Sequence, residues 1–357
     1  MADFETQLKK LLEITIKERA SDLHLSVDYP PVLRIADQLI PLLKEKKLSS
    51  EDSQSLAFCL MTDDQRQRFL REKEIDFSYN FEGKARFRIN IFFQKGYISS
   101  ALRLIPFKIR TIEELNLPPI LHLFARANQG FVLICGPSSQ GKSTTLATLI
   151  DEINHTRAEH VITIEDPIEY VFHHQKAIVS QREIRADTHS WQIALRSCLR
   201  EDPDVVMIGE MRDYETIAAA LTIAETGHLV FATLHTNSAS QTIDRIIDVF
   251  PANQQAQIKT QLASVLEAVL SQRLLPSLSG GRIPAVEILV NTPAVANAVR
   301  EGKIQMLETI LQTSSELGTK TLEMDLAQLV KKGKVSLETA RAFALKPEEL
   351  MRLTKNR

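Results

Sequence analysis

Cysteine is scarce in this 357-residue chain. Its three cysteines, Cys59, Cys135 and Cys198, are far apart and form no CxxC pair. That spacing excludes a disulfide framework or a zinc site of known pattern and reads as buried thiols in a reducing compartment. Charge of one sign is lacking too: 43 Lys plus Arg stand against 45 Asp plus Glu, a formal net charge of −2. Bulk attraction to nucleic acid or anionic lipid is therefore not expected. No apolar run approaches the ~20 residues that span a bilayer, and the first residues, MADFETQLKK, lack the apolar core of a signal peptide. Repeats of 20 to 50 residues and low-complexity segments are also missing. These absences point to a cytoplasmic chain, and 357 residues suffice for two or three domains.

What is present falls into two patterns. Phe4, Leu8, Leu11, Leu12 and Ile16 fall at helical spacing. Asp22 to Ser26 alternates as a strand, Pro30-Pro31 forces extended backbone before Val32 to Ile35, and Ser50 to Lys73 reads as helical. Strand-like runs over Ala85 to Phe92 and Tyr97 to Ile105 follow, so residues 1–106 predict a small α+β domain. A short basic stretch between Pro106 and Pro118, residues 107–117, predicts a hinge linker. From Gly130 the pattern alternates strand and helix. The apolar runs 131–135, 160–164, 204–208 and 229–233 are separated by helical segments near Lys142 to Asn154, Trp191 to Arg200 and Tyr214 to Glu225. Such runs predict a mostly parallel sheet covered on both faces, over residues 118–270. Thr242 to Leu274 reads as mainly helical, and 271–357 as a helical C-terminal region with Val286 to Val290 as the main strand-like exception.

Gly136-Pro137-Ser138-Ser139-Gln140-Gly141-Lys142-Ser143, followed by Thr144, matches G-x-x-x-x-G-K-[ST] between an apolar strand and a helical segment. Such a loop turns backbone N–H groups toward phosphates at the positive end of a helix. Lys142 would reach the β- and γ-phosphates of ATP, and the Ser143 hydroxyl would bind Mg2+. Glu210 ends the strand 205–208, and Glu165 opens the acidic cluster Glu165-Asp166-Pro167-Ile168-Glu169 after another. Each could be a strand-end salt bridge; beside the loop, Glu210 is the candidate for orienting and deprotonating water, with Glu165 assisting at the metal. His228 and His235 flank one strand and have no third partner for zinc. They read either as γ-phosphate sensors or as structural, hydrogen-bonded histidines.

Four ordered segments carry a family resemblance: Gly136 to Ser143, Ile164 to Tyr170, Arg200 to Asp213, and Glu225 to Thr236. They look like the Walker A, Asp box, Walker B and His box of the secretion-superfamily hexameric ATPases. Ala20-Ser21-Asp22-Leu23-His24-Leu25, Val249-Phe250-Pro251-Ala252 and Leu317-Gly318-Thr319-Lys320-Thr321-Leu322 bring the chain close to the type IV pilus retraction (twitching motility) ATPases. The resemblance implies a PAS-like N-terminal domain, a RecA-like P-loop core and a helical C-terminal extension, assembled as a homo-hexamer. It implies ATP hydrolysis that drives pilus retraction from the cytoplasmic side of the inner membrane through a platform protein, with no nucleic-acid partner. It also implies nucleotide-contacting arginines at Arg88 and Arg103, which by alternation alone would face solvent. Two departures stand out. Ser139-Gln140 replaces the family's Gly-Ser, and Ala294-Val295-Ala296-Asn297-Ala298-Val299-Arg300-Glu301 replaces its Ala-Ile-Arg-Asn-Leu-Ile-Arg-Glu. A second reading, a weakly active ring subunit working with a paralogous retraction ATPase, follows from these departures.

Overall fold

The computed structural model describes residues 2–35, 38–105, 108–314 and 318–355. They form two compact units, Met1–Lys108 together with Asp166–Val171, and Ile109–Glu165 together with Phe172–Arg357.

The N-terminal unit runs α1 (Ala2–Lys17), β1 (Asp22–Leu25), β2 (Val32–Ile35), β3 (Gln38–Pro41), α2 (Ser50–Cys59), α3 (Asp63–Glu72), β4 (Glu74–Phe81), β5 (Ala85–Gln94) and β6 (Tyr97–Ile105). Its sheet has the order β3-β2-β1-β6-β5-β4, with every neighbouring pair antiparallel. Alternation places Phe87, Ile89 and Ile91 of β5, Leu102 of β6 and Leu23 of β1 in a core shared with Leu8, Leu11 and Leu12 of α1. The opposite face carries a cross-strand row in which Ser78, Arg88, Arg103, Asp22 and Arg34 are successive neighbours. The expected helix Ser50 to Lys73 is two helices, because Thr62 accepts the N–H of Gln65 and starts α3 with a capping box. Lys73, at φ 69°, ends it. Strands β3 and β4 were absent from the expectation.

The second unit runs α4 (Leu121–Arg126), β7 (Gly130–Cys135), α5 (Lys142–Thr156), β8 (His160–Glu165), β9 (Ile178–Glu183), α6 (Trp191–Cys198), β10 (Val205–Ile208), α7 (Tyr214–Glu225), β11 (Leu229–Leu234), α8 (Ala239–Asp248) and α9 (Ala252–Val265). It continues with β12 (Leu266–Pro276), β13 (Arg282–Val290), α10 (Pro293–Glu301), α11 (Met306–Thr313), α12 (Leu322–Lys331), α13 (Leu337–Phe343) and α14 (Pro347–Lys355). The sheet order is β13-β12-β7-β11-β10-β8-β9. All pairs are parallel except β12 with β13. Every residue of β7, β10 and β11 is buried, as central strands of a doubly covered parallel sheet require.

Two expectations change here. Residues 266–274 are not helical: they form most of β12, inserted between β7 and β13. Leu266, Val269, Leu270 and Leu274 happen to fall at helical spacing, and a strand buried on both faces has no polar face to reveal a period of two. The expected division after residue 270 therefore falls inside a strand, and the region 271–357 contributes a β-hairpin before its helices. Leu275, Ile283 and Ala285 of that hairpin pack with Leu322, Leu326 and Val335 in a separate small core. Strand β9 was also missed. Of the expected hinge, Phe107 lies outside the described residues, whereas Ile112 and Leu117 are buried. Thr111 and Glu114 there exchange backbone-to-side-chain hydrogen bonds, so the stretch is a packed turn.

Candidate functional site

The parallel register brings the carboxyl ends of β7, β8, β10 and β11 to one edge of the sheet. The chain leaves those ends at Gly136, Asp166, Gly209 and His235, the edge where ligands of open parallel sheets bind.

The phosphate loop leaves β7 and enters α5 through three residues at positive φ: Gly136 at 145°, Ser139 at 63° and Gly141 at 82°. Glycine is required at two of them. A Cβ on Gly136 would stand 2.4 Å from the Gln272 carbonyl oxygen, and one on Gly141 would stand 2.9 Å from Gln272 Nε2. Ser139 is a side-chain-bearing residue in left-handed backbone, a conformation costing roughly 1–2 kcal/mol. α5 begins on Gly141 with no side-chain cap and has no acidic residue in its first turn. Its positive end is thus left to an external anion.

Lys142 is buried, and its Nζ donates to the carbonyl oxygens of Gly136 at 2.7 Å and Pro137 at 2.9 Å. Nζ also stands 3.4 Å from His235 Nδ1, as does Ser138 Oγ. The other ring nitrogen of His235, Nε2, lies 3.0 Å from Glu210 Oε1. Burial and the Lys142 charge lower the pKa of His235, which favours the neutral ring. One tautomer then satisfies every contact: Nε2–H donates to Glu210, and Nδ1 accepts from Lys142 or Ser138. Arg212 holds Glu210 from the other side, Nε to Oε1 at 2.7 Å and Nη2 to Oε2 at 2.8 Å. Burial alone would raise the Glu210 pKa, but Arg212, His235 and Lys142 outweigh it and hold the carboxyl below its ordinary value.

Gly209, the residue before Glu210, lets β10 end tightly against β8. Its N–H donates to Ile164 O at 2.8 Å, and a Cβ there would meet that oxygen at 3.2 Å. Thr233 Oγ1 donates to Gly209 O and Met211 N to Thr233 O, which straps Glu210 to the end of β11. Glu165 is buried at the end of β8, where Oε1 accepts from Thr163 Oγ1 at 2.6 Å and Gln181 Nε2 at 3.1 Å.

The remaining expected residues are His228, Arg88 and Arg103. His228 precedes β11, at the end of the strand opposite His235, and its carbonyl pairs with Gly130 at the start of β7. Six strand residues, about 20 Å at 3.3 Å each, separate it from the loop edge. Its Nδ1 donates to Ile223 O at 2.9 Å, so within one chain the ring secures the end of α7. Arg88 and Arg103 belong to the N-terminal unit and are side-by-side neighbours on β5 and β6. Arg88 pairs with Asp76 at 2.7 Å and with Glu169 at 3.3 Å. Arg103 pairs with Asp22 at 3.0 Å and keeps 65% of its side chain exposed.

Gln272 was missed. Buried on β12, it donates from Nε2 to Gln140 O at 2.7 Å and accepts from Thr145 Oγ1 at 2.7 Å. Its signal was the polar Ser271-Gln272-Arg273 inside an apolar run, which the helical reading of Thr242 to Leu274 passed over. Arg212 lay within a quoted motif, but nothing in the sequence tied it to Glu210.

Of the substituted positions in α10, Val295, Ala298 and Val299 are buried in the main core and Ala296, at the position of the family's first arginine, is partly buried, whereas the unchanged Asn297 and Arg300 are exposed. Among the described residues, no helix is long and apolar enough to cross a membrane.

Residues 2–344 match the family model described as Type II/IV secretion system protein. The chain is 46% identical to the type IV pilus retractation ATPase PilT of Pseudomonas aeruginosa, over 96% of this chain and 99% of that one. It is 39% identical to the type IV pilus ATPase PilU of the same organism, over 98% and 91%. The crystal structure of the pilus retraction motor PilT with bound ADP superposes with a TM-score of 0.90 at 44% identity, covering 96% of this chain and 98% of that one. The loop, the strand-end carboxylates and these likenesses together make the chain a member of the type II/IV secretion system protein family, alongside its pilus retraction ATPases.

Proposed function

We propose that this chain is a Mg2+-dependent P-loop ATPase that works as a homo-hexameric motor of type IV pilus retraction. It would act at the cytoplasmic face of the inner membrane on a platform protein. The observation that carries the reading is the continuous line Lys142–His235–Glu210 across the ends of three adjacent parallel strands. The likeness to PilT over nearly the whole length of both chains supports the motor role.

Lys142 exchanges its contacts with the Gly136 and Pro137 carbonyls for the β- and γ-phosphates of ATP, and the loop amides with the α5 terminus bind the remaining oxygens. Ser143, Glu165 and Glu210 offer hard oxygen donors of the kind magnesium prefers, and Ser143 is exposed at the first turn of α5. Bound there, the ion would neutralise phosphate charge. Glu210, kept ionised, orients the attacking water and takes its proton as the water oxygen bonds to the γ-phosphorus and the bond to the ADP oxygen breaks. Neutral His235 holds Glu210 in place and presents Nδ1 toward the phosphate side. Arg88 and Arg103 carry the further role of stabilising phosphoryl charge, worth about 10³–10⁵ in rate where such an arginine acts as a finger.

The test is direct. Purified protein should hydrolyse ATP, and Lys142→Ala should abolish turnover; unchanged turnover in that variant sinks the assignment. In cells, a deletion strain should be hyperpiliated and unable to twitch, whereas bald cells would mean assembly. The second reading, an accessory ring subunit working with a paralogous ATPase, is favoured by the left-handed Ser139 and the smaller core residues of α10. Restoration of twitching by this chain alone, without the paralogue, excludes it.

A further inference from the structure

Strand β7 pairs with β12 only as far as Cys135 opposite Ser271, and then turns away as the phosphate loop. Beyond that point β12 keeps β13 on one side and, among the described residues, has no strand on the other. The loop itself returns to that open edge. Gln140 Oε1 accepts the backbone N–H of Leu274 at 2.7 Å, and Gln140 O accepts from Gln272 Nε2 at 2.7 Å. The Gln272 amide oxygen in turn accepts from Thr145 in the first turn of α5. Ser139, the left-handed residue of the loop, immediately precedes this grip.

We propose that Gln140 is a positioning residue whose side-chain amide takes the place of the missing strand neighbour of Leu274 and holds the left-handed Ser139 turn in its nucleotide-binding form. Residues 139 and 140 then act as a pair. A serine at φ 63° favours leaving that conformation, and the Gln140 anchor opposes the departure. A glycine at 139 occupies the same backbone without that tendency and makes the anchor dispensable. Serine at 140 is too short to reach Leu274, so Gln140→Ser removes the side-chain contact and leaves the carbonyl contact to Gln272. The proposal rests on the loop's being a nucleotide site.

The experiment is a double-mutant cycle on the full chain, comparing wild type, Gln140→Ser, Ser139→Gly and the double variant by MgATP turnover and ADP binding. Gln140→Ser should raise KM for MgATP and Kd for ADP about fivefold, with kcat within about twofold. Its thermal midpoint should stay within about 2 °C of wild type. On the Ser139→Gly background the same substitution should change KM by less than about twofold. Equal KM values for wild type and Gln140→Ser would overturn the proposal, and so would an equal loss on both backgrounds. Failure of wild type to bind or hydrolyse nucleotide is a failure of the functional reading instead. The anchor is then read from amide exchange at Leu274: exchange at least about tenfold faster in Gln140→Ser supports it, and unchanged exchange overturns it.

Discussion

His235 Nε2 lies 3.0 Å from Glu210 Oε1, joining the carboxyl ends of β11 and β10. The carboxylate therefore has a fixed direction, set by one ring on one side and by the Arg212 guanidinium on the other. Glu210→Gln keeps the shape but turns one accepting oxygen into an NH2, giving up part of the Arg212 pairing, and it cannot take a proton. ATP turnover should fall at least about 100-fold with nucleotide Kd little changed, measured by steady-state hydrolysis beside fluorescent-nucleotide binding.

Arg212 leads the groups that hold Glu210 below its ordinary value, against burial, which pushes the other way. In Arg212→Ala the burial effect loses its main opponent, so the Glu210 pKa should rise. A base must be deprotonated to act. The acid limb of the kcat/KM profile should therefore move to higher pH, with the plateau rate at high pH less affected. An acid limb at the wild-type position would remove Glu210 as the base.

Gly136 is the tightest backbone approach in the loop. Gly136→Ala would bring Cβ to 2.4 Å from a main-chain oxygen of β12, at φ 145°. The strand itself would have to shift. Destabilisation of at least about 2 kcal/mol is expected, together with loss of ADP binding, measured by thermal and denaturant unfolding.

Glu287, buried on β13, accepts the Ala239 N–H at 2.7 Å. Burial, helped by Glu323 and Glu308, raises its pKa from 4.5 to about 7. Between those values the folded protein keeps the proton and the unfolded chain has lost it, so rising pH favours unfolding. The penalty is absent below 4.5, grows through the window and is complete above about 7, reaching roughly 3 kcal/mol. Glu287→Gln keeps the acceptor and loses the titration. It should melt above wild type at pH 8 and level with it near pH 4.5, as thermal unfolding at the two pH values will show.

Much of this was legible beforehand. Tyr214–Glu225 matches the expected helix because Asp213 caps it and glycine follows at 227. The loop and both carboxylates were legible because each sits at a strand end whose apolar run is unmistakable. Strand β12 was not, because a segment buried on both faces carries no alternation and Leu266, Val269, Leu270 and Leu274 mimic a helix face. With it went Gln272, whose role exists only once β12 lies beside the loop. The separation of His228 from His235 was implicit in their spacing, since an intervening strand puts its two ends on opposite edges of the sheet.

The grip of β12 on the loop reaches further than nucleotide binding. Beyond β12, β13 continues the ladder, and the Val286 N–H donates to Asp325 Oδ2 at 2.8 Å on α12, itself paired with Lys320. The Gln140 side chain thus contacts β12 at Leu274, β12 pairs with β13, and β13 meets the Asp325 side chain at Val286, a path from the phosphate loop to the C-terminal helices. A displacement of Gln140 would therefore pull first on β12 and then, through its ladder with β13, on the helices behind it.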